Sequence, residues 1–152
     1  MTRGYTLIEV VVVLLVLALA AGVVVPAMGR SADALRLRAE VAGIASFLRA
    51  AREQAITREM AYEVGVDSEA SVLVLRVSAG DAGQSAPAVR ATKRLSPRLR
   101  LEADPPSARV ITFFPQGLSS GGRFRIEAPG AVVYVVTVDP VTGRVATRRG
   151  ES

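Results

Sequence analysis

GYTLIEVVVVLLVLALAAGVVV, residues Gly4–Val25, places one carboxylate, Glu9, at the leading edge of a run from Val10 to Val25 built only of Val, Leu, Ala and one Gly. That run would be about 24 Å long as a helix, short of a hydrocarbon core of ~30 Å, whereas residues 5–28 would reach about 36 Å. A spanning helix must therefore take in Glu9 near one interface. An ionisable group there is expensive and calls for a partner. Half of the run is Val, which disfavours helix in water, but in lipid a lone segment satisfies its backbone only as a helix. Pro26 marks a kink or an end.

Two plain readings of this segment leave Glu9 without a role. In a secretory signal peptide, Arg3 is the charged start, Val10 to Leu17 the apolar centre and Ala18-Leu19-Ala20 the cleavage site, and the mature chain begins with apolar AGVVVP. In a simple anchor, Glu9 snorkels to the headgroups. Flanking charge does not settle orientation: Arg3 stands alone before the run, and Arg30, Arg36 and Arg38 follow it.

Composition narrows the chemistry. The 152 residues include no Cys and no His, which excludes disulfides, thiol chemistry, zinc sites of the usual kinds and imidazole catalysis. Nineteen basic against fourteen acidic residues give +5, a balance that favours anionic contacts. No cofactor or metal is expected, and no catalytic constellation is present.

Beyond the apolar run, Leu37, Val41, Ile44, Leu48, Ala51 and Ala55 recur at steps of three and four, the period of an amphipathic helix reaching about Tyr62. Arg38, Glu40, Arg49, Arg52, Glu53 and Glu59 fall off that stripe and read as a solvated face. After Tyr62 the period changes to two. Strands are expected at 62–66, 72–77, 89–95, 99–102, 109–114, 124–128, 131–138 and 144–147, separated by DSEAS, AGDAGQSAP, DPPS, PQGLSSGG and DPVTG. The segment 80–87, small, polar and aperiodic, is the expected mobile loop.

The stretch Arg3-Gly4-Tyr5-Thr6-Leu7-Ile8-Glu9-Val10, followed at once by the apolar run, resembles the processing site of type IV pilins and type II secretion pseudopilins, with Tyr5 where Phe is more usual. The resemblance implies that a prepilin peptidase cuts between Gly4 and Tyr5, that Tyr5 becomes the N-methylated first residue, and that Glu9 is the retained acid of assembly. In a filament core Glu9 would neutralise the buried ammonium of a neighbouring subunit, offsetting the burial of both charges only in the assembled state. Ala51-Arg52-Glu53-Gln54-Ala55-Ile56, the stretch Ile111-Thr112-Phe113-Phe114-Pro115-Gln116-Gly117-Leu118-Ser119-Ser120-Gly121-Gly122, and Thr142-Gly143-Arg144-Val145 resemble the H-type minor pseudopilins and the related FimT minor pilins.

The implied architecture is α+β and pilin-like, a long N-terminal hydrophobic helix packed on a mainly antiparallel sheet domain. Its divisions are a leader at 1–4, a transmembrane and filament-core helix at 5–28, an amphipathic continuation at 29–62 and a globular β-rich periplasmic domain at 63–152. The implied function is that of a non-enzymatic minor pseudopilin, single-pass in a bacterial inner membrane. Its partners would be the prepilin peptidase and other major and minor pseudopilins in a hetero-oligomeric filament.

The remaining constellations are weaker. Gly117, Gly121 and Gly122 lack the Lys-Ser/Thr of a phosphate loop and read as a hairpin loop. Asp67 with Glu69, and Glu102 with Asp104, match no EF-hand spacing and read as turn residues. Eight basic side chains lie between Arg90 and Arg125, and Arg144, Arg148 and Arg149 follow near the end. Some FimT-like pilins take up DNA through a Gly-Arg tail, so these last three residues are candidate anion or DNA contacts, with nucleic acid as the alternative partner.

Overall fold

The structure, a computed structural model, describes residues 6–67, 70–78 and 88–150, with the side chains of 23–32 left aside. One helix, α1 (Leu7–Arg58), precedes eight strands: β1 (Tyr62–Asp67), β2 (Val72–Val77), β3 (Val89–Arg94), β4 (Arg100–Ala103), β5 (Val110–Phe113), β6 (Gly122–Ala128), β7 (Val132–Val138) and β8 (Val145–Gly150). The chain divides into two compact units, 1–38 and 39–152.

Thr6 opens α1: its carbonyl accepts from the amides of Glu9 and Val10 at 3.0 and 3.4 Å. In the first unit the apolar side chains point outward, with relative exposures from 49 % at Val10 to 85 % at Leu7. Among the described residues, no helix is long and apolar enough to cross a membrane. Thr6–Gly22, the part of the run whose side chains are described, measures about 26 Å as a helix, and the expected 5–28 span extends beyond it on both sides. α1 does not end at Pro26. A proline deletes one helical hydrogen bond, and the ladder resumes beyond it.

In the second unit the helical stripe is buried as its spacing predicts: Val41, Ile44, Leu48, Ala51 and Ala55, joined by Ala45, are nearly or wholly inaccessible. Leu37 is only half-buried, so the covered face begins one turn later than expected. The helix stops at Arg58 rather than near Tyr62 because Glu59 turns left-handed (φ 53°) and the Met60 amide reaches back to the Ala55 carbonyl at 3.3 Å, a Schellman-type ending.

All eight expected strands form, in two antiparallel four-stranded sheets ordered β3-β2-β1-β5 and β4-β6-β7-β8. Burial alternates along β1, β2, β4 and β6, and Val64, Leu73, Leu75, Ile111, Phe113, Phe124, Ile126 and Val136 fill the core. The PQGLSSGG stretch is not a simple hairpin. It starts as one, with Phe113 bridged to Ser119 and the Ser120 amide donating to Thr112 O at 2.8 Å, and then Gly121-Gly122 carries the chain from the first sheet into the second. A Cβ on Gly122 would stand 2.7 Å from the Ile111 side chain, so only glycine passes there. β8 runs to Gly150, three residues past the expected end. Its last residues, Thr147-Arg148-Arg149-Gly150, pair with Val136–Val133 although they show no apolar alternation.

Candidate functional site

Three stretches distant in sequence meet at one side chain. Arg52, on the last turns of α1, shares its single Nε–H between the carbonyls of Gly117 (3.2 Å) and Thr142 (3.1 Å). Each partner sits in a turn shaped to receive it. The Gly117 amide donates to Phe114 O, and Gly117 has φ 84°; Gly143 has φ 61°, and its amide donates to Asp139 O at 2.9 Å. A Cβ on Gly143 would lie 2.5 Å from the Gly117 carbonyl and 2.7 Å from Arg52 Nε, so the two turns and the guanidinium approach too closely for any side chain.

The turn from Asp139 to Gly143 is tied internally. Asp139 Oδ1 accepts from the amides of Val141 (3.0 Å) and Thr142 (2.7 Å) and from the Thr142 hydroxyl (2.8 Å). These bonds, the Thr142 amide first, hold its carboxyl below the ordinary aspartate value against a small opposing effect of desolvation. The buried Ser119 links the two turns: its hydroxyl donates to Asp139 O at 2.9 Å and accepts from the Gly121 amide, while its own amide donates to Pro140 O. Arg52, expected on a solvated face, is half-buried and structural. Its partners are main-chain oxygens 65 and 90 residues away, which no helical spacing encodes. Glu40 also departs from that face, being half-buried with Oε2 covered and without a hydrogen-bond partner.

Beside this knot, Arg49, Arg52, Glu53 and Ile56 of α1 and Arg144 and Val145 at the start of β8 line an open cavity of about 470 Å³. Arg144 is exposed at its rim. Arg148 and Arg149 are consecutive on β8 and so point to opposite faces. The three candidate tail contacts thus line one strand without sharing one face. On β6 of the second sheet two outward arginines are neutralised, Arg123 by Asp104 at 3.2 Å and Arg125 by Glu127 at 3.1 Å, whereas Arg100 on β4 is exposed without a carboxylate partner among the described residues. Among the described residues, Arg144, Arg148 and Arg149 have no carboxylate partner. The other basic residues divide between β3 of one sheet and β4 and β6 of the other, so they form no single track.

Gly4 and Tyr5 lie outside the described residues, as do Glu69 and the 80–87 loop. Glu9 stands exposed in the first turn of α1, three residues after Thr6. The Thr6-x-x-Glu9 spacing has the form of a capping box, and a carboxylate there is favoured by the helix dipole by about 0.3–1 kcal/mol. Asp67 Oδ1 accepts from the Ala70 amide, a turn role as expected. Glu102 is an outward residue of β4, and Asp104 serves Arg123. Among the described residues no group of three or more acidic side chains gathers.

A family model described as Type II transport protein GspH matches residues 40–142, more than half the chain, and one described as the prokaryotic N-terminal methylation motif matches residues 1–25. No curated protein matches. Among solved structures, the type IV minor pilin FimU of Pseudomonas aeruginosa superposes with a TM-score of 0.61 at 16 % identity, covering 76 % of this chain and 98 % of its own. The minor pseudopilin EpsH from the Type 2 Secretion System of Vibrio cholerae superposes with a TM-score of 0.60 at 16 % identity, covering 75 % and 98 %. Both share the pilin-like α+β fold. The GspH match ends at Thr142, so it takes in Arg52, Gly117, Ser119 and Asp139 and stops before the strand that carries Arg144, Arg148 and Arg149.

Proposed function

This chain belongs to the Type II transport protein GspH family, and from that premise we propose that it is a minor pseudopilin, a non-enzymatic subunit in or at the tip of a short periplasmic filament that aids protein export across the outer membrane. The observation that carries the reading is the start of the first unit: an apolar helical stretch whose described side chains, residues 6–22, are all exposed, headed by Glu9, within an N-terminal methylation motif. A surface of that kind is stable only when something outside the chain covers it. Lipid does so before assembly, with the helix spanning the inner membrane once and the β-rich unit in the periplasm. Neighbouring helices do so afterwards.

In this reading the prepilin peptidase cuts between Gly4 and Tyr5, Tyr5 is N-methylated, and Glu9 pairs with the new ammonium of a neighbouring major or minor pseudopilin. Co-expression with a prepilin peptidase should shorten the chain by four residues and leave methylated Tyr5, read by mass spectrometry. A mature start at Ala21 would establish the signal peptide instead. Glu9→Gln keeps the shape of the side chain without its charge; it should insert normally and fail to enter filaments, scored by cross-linking to the other subunits. Normal assembly of that variant removes the proposed role of Glu9.

A second reading, a FimT-like minor pilin that binds DNA during uptake, draws on Arg144, Arg148 and Arg149, which have no carboxylate partner among the described residues. It requires duplex binding at physiological salt whose log–log salt slope flattens by up to about 3 units when all three become Gln, one per lost phosphate contact.

A further inference from the structure

β8 ends its sheet with β7 as its one strand neighbour, so alternate backbone amides and carbonyls along its outer side have no ladder to join. It also overhangs the core, with Ala146, Thr147, Arg148 and Arg149 all exposed. It carries Arg148 and Arg149 and no acid, Arg144 stands immediately before it, and across β7 the residues opposite Arg148 and Arg149 are Val135 and Tyr134. Within the same sheet Arg123 and Arg125 each have a carboxylate. Charge is therefore satisfied on the central strand β6 and, among the described residues, left open at this edge, while β4, the other edge of the sheet, offsets its Arg100 with the acid Glu102 on the same strand.

We propose that the free edge of β8 docks an extended acidic segment of another protein by strand addition. Backbone hydrogen bonds would fix the segment alongside residues 145–150. Two adjacent acidic residues, which point to opposite faces of an added strand, would meet Arg148 on one face and Arg149 on the other. A third carboxylate would reach Arg144 at the rim of the cavity beside α1. The same arginines decide what cannot bind: two copies of this edge would set six guanidinium groups against one another, so self-pairing is disfavoured and an acidic partner selected. The other basic edge, β3, is less free, because Lys93 Nζ lies against α1, 2.9 Å from where a Cβ of Gly43 would stand. The proposal favours a protein partner over a nucleic acid because a duplex track needs cations on one surface, and here they alternate.

The test uses the full chain in dodecyl maltoside micelles and three probes at moderate salt. The first is a capped threonine-valine hexapeptide with two adjacent central glutamates; the second replaces those glutamates by lysines; the third keeps the glutamates but carries N-methyl groups on alternate amides, which removes the strand-pairing donors. The acidic peptide should bind at least tenfold tighter than either of the others, as read by fluorescence anisotropy. R144E/R148E/R149E should invert the preference toward the lysine peptide, a gain of binding that a merely misfolded variant does not give. Equal binding of the N-methylated peptide would reduce the edge to a diffuse charge effect and overturn strand addition. Duplex DNA binding without peptide binding would replace the proposal with the nucleic-acid reading. Neither outcome bears on processing at Gly4 or on Glu9, which are scored separately.

Discussion

Leu14 and Leu48 stand on the same helix, yet Leu14 is 60 % exposed while Leu48 is wholly buried. Around Leu14 every neighbour on the helix is apolar, so no face is distinguished and no face is covered by this chain. Around Leu48 the apolar residues recur at three and four, and the sheets close over them. Uniform apolarity addresses the helix to an environment outside the molecule, whereas periodic apolarity addresses it to a core inside. The difference is one of arrangement rather than of total hydrophobicity.

The sharpest way to break this comparison is one substitution made twice. Leu48→Ala should destabilise the second unit by about 2–5 kcal/mol, through lost transfer free energy and the cavity left behind. Leu14→Ala should leave its thermal midpoint unchanged. Near-ultraviolet circular dichroism of the full chain in detergent micelles reads both, and an equal fall for the two variants would mean that the halves are not energetically distinct.

A smaller effect tests what fastens the second half. Gly143→Ala strains a left-handed residue and drives a methyl into the Gly117 carbonyl and Arg52, so a loss of about 2–3 kcal/mol is expected. Arg52→Gln should follow at about 1–2 kcal/mol, since it removes a charge-assisted donor from a half-buried site. If the two losses add in the double variant, the guanidinium and the turn act independently; a shortfall shows that they form one unit.

The smallest effect is in pH. The Asp139 carboxyl is held below its ordinary value in the folded chain, so the unfolded state takes up its proton first on acidification. Its contribution is complete above the unfolded value near 3.8 and is lost as pH falls through the lower folded one. The midpoint advantage of the native chain over Asp139→Asn should therefore shrink between about pH 5 and about pH 3, and an advantage that grows on acidification would contradict the turn geometry.

Most of the architecture was readable because helix and strand write different periods. Val41 to Ala55 gave one and Tyr62 to Val138 the other, and every strand was foreseen within a few residues. What escaped reading was of two kinds. Residues 148–150 join β8 by backbone pairing at an exposed edge, where side chains need not alternate. The partition into two sheets and the role of Arg52 rest on contacts between main-chain atoms far apart in sequence, and a carbonyl oxygen is the same whatever residue bears it. The family signature around Glu9 was legible, and the prokaryotic N-terminal methylation motif matches residues 1–25. The parallel place of Glu9 in the helix cap is local chemistry that the apolar run overshadowed.

Arg52 also imposes an order on how the molecule comes into being. Its two acceptors lie 65 and 90 residues further along the chain, so the bonds cannot close until Thr142 has been made and delivered. The second sheet is likewise completed last by β8, which supplies the far side of β7 after β4, β6 and β7 have made their own ladders. Contacts of such long sequence separation form late and slowly, after the local turns of the helix. In a chain emerging N-terminus first, the buried face of α1 therefore stays open until the strands that cover it have been made. Residues 139–150 act as the latch whose arrival ends that interval.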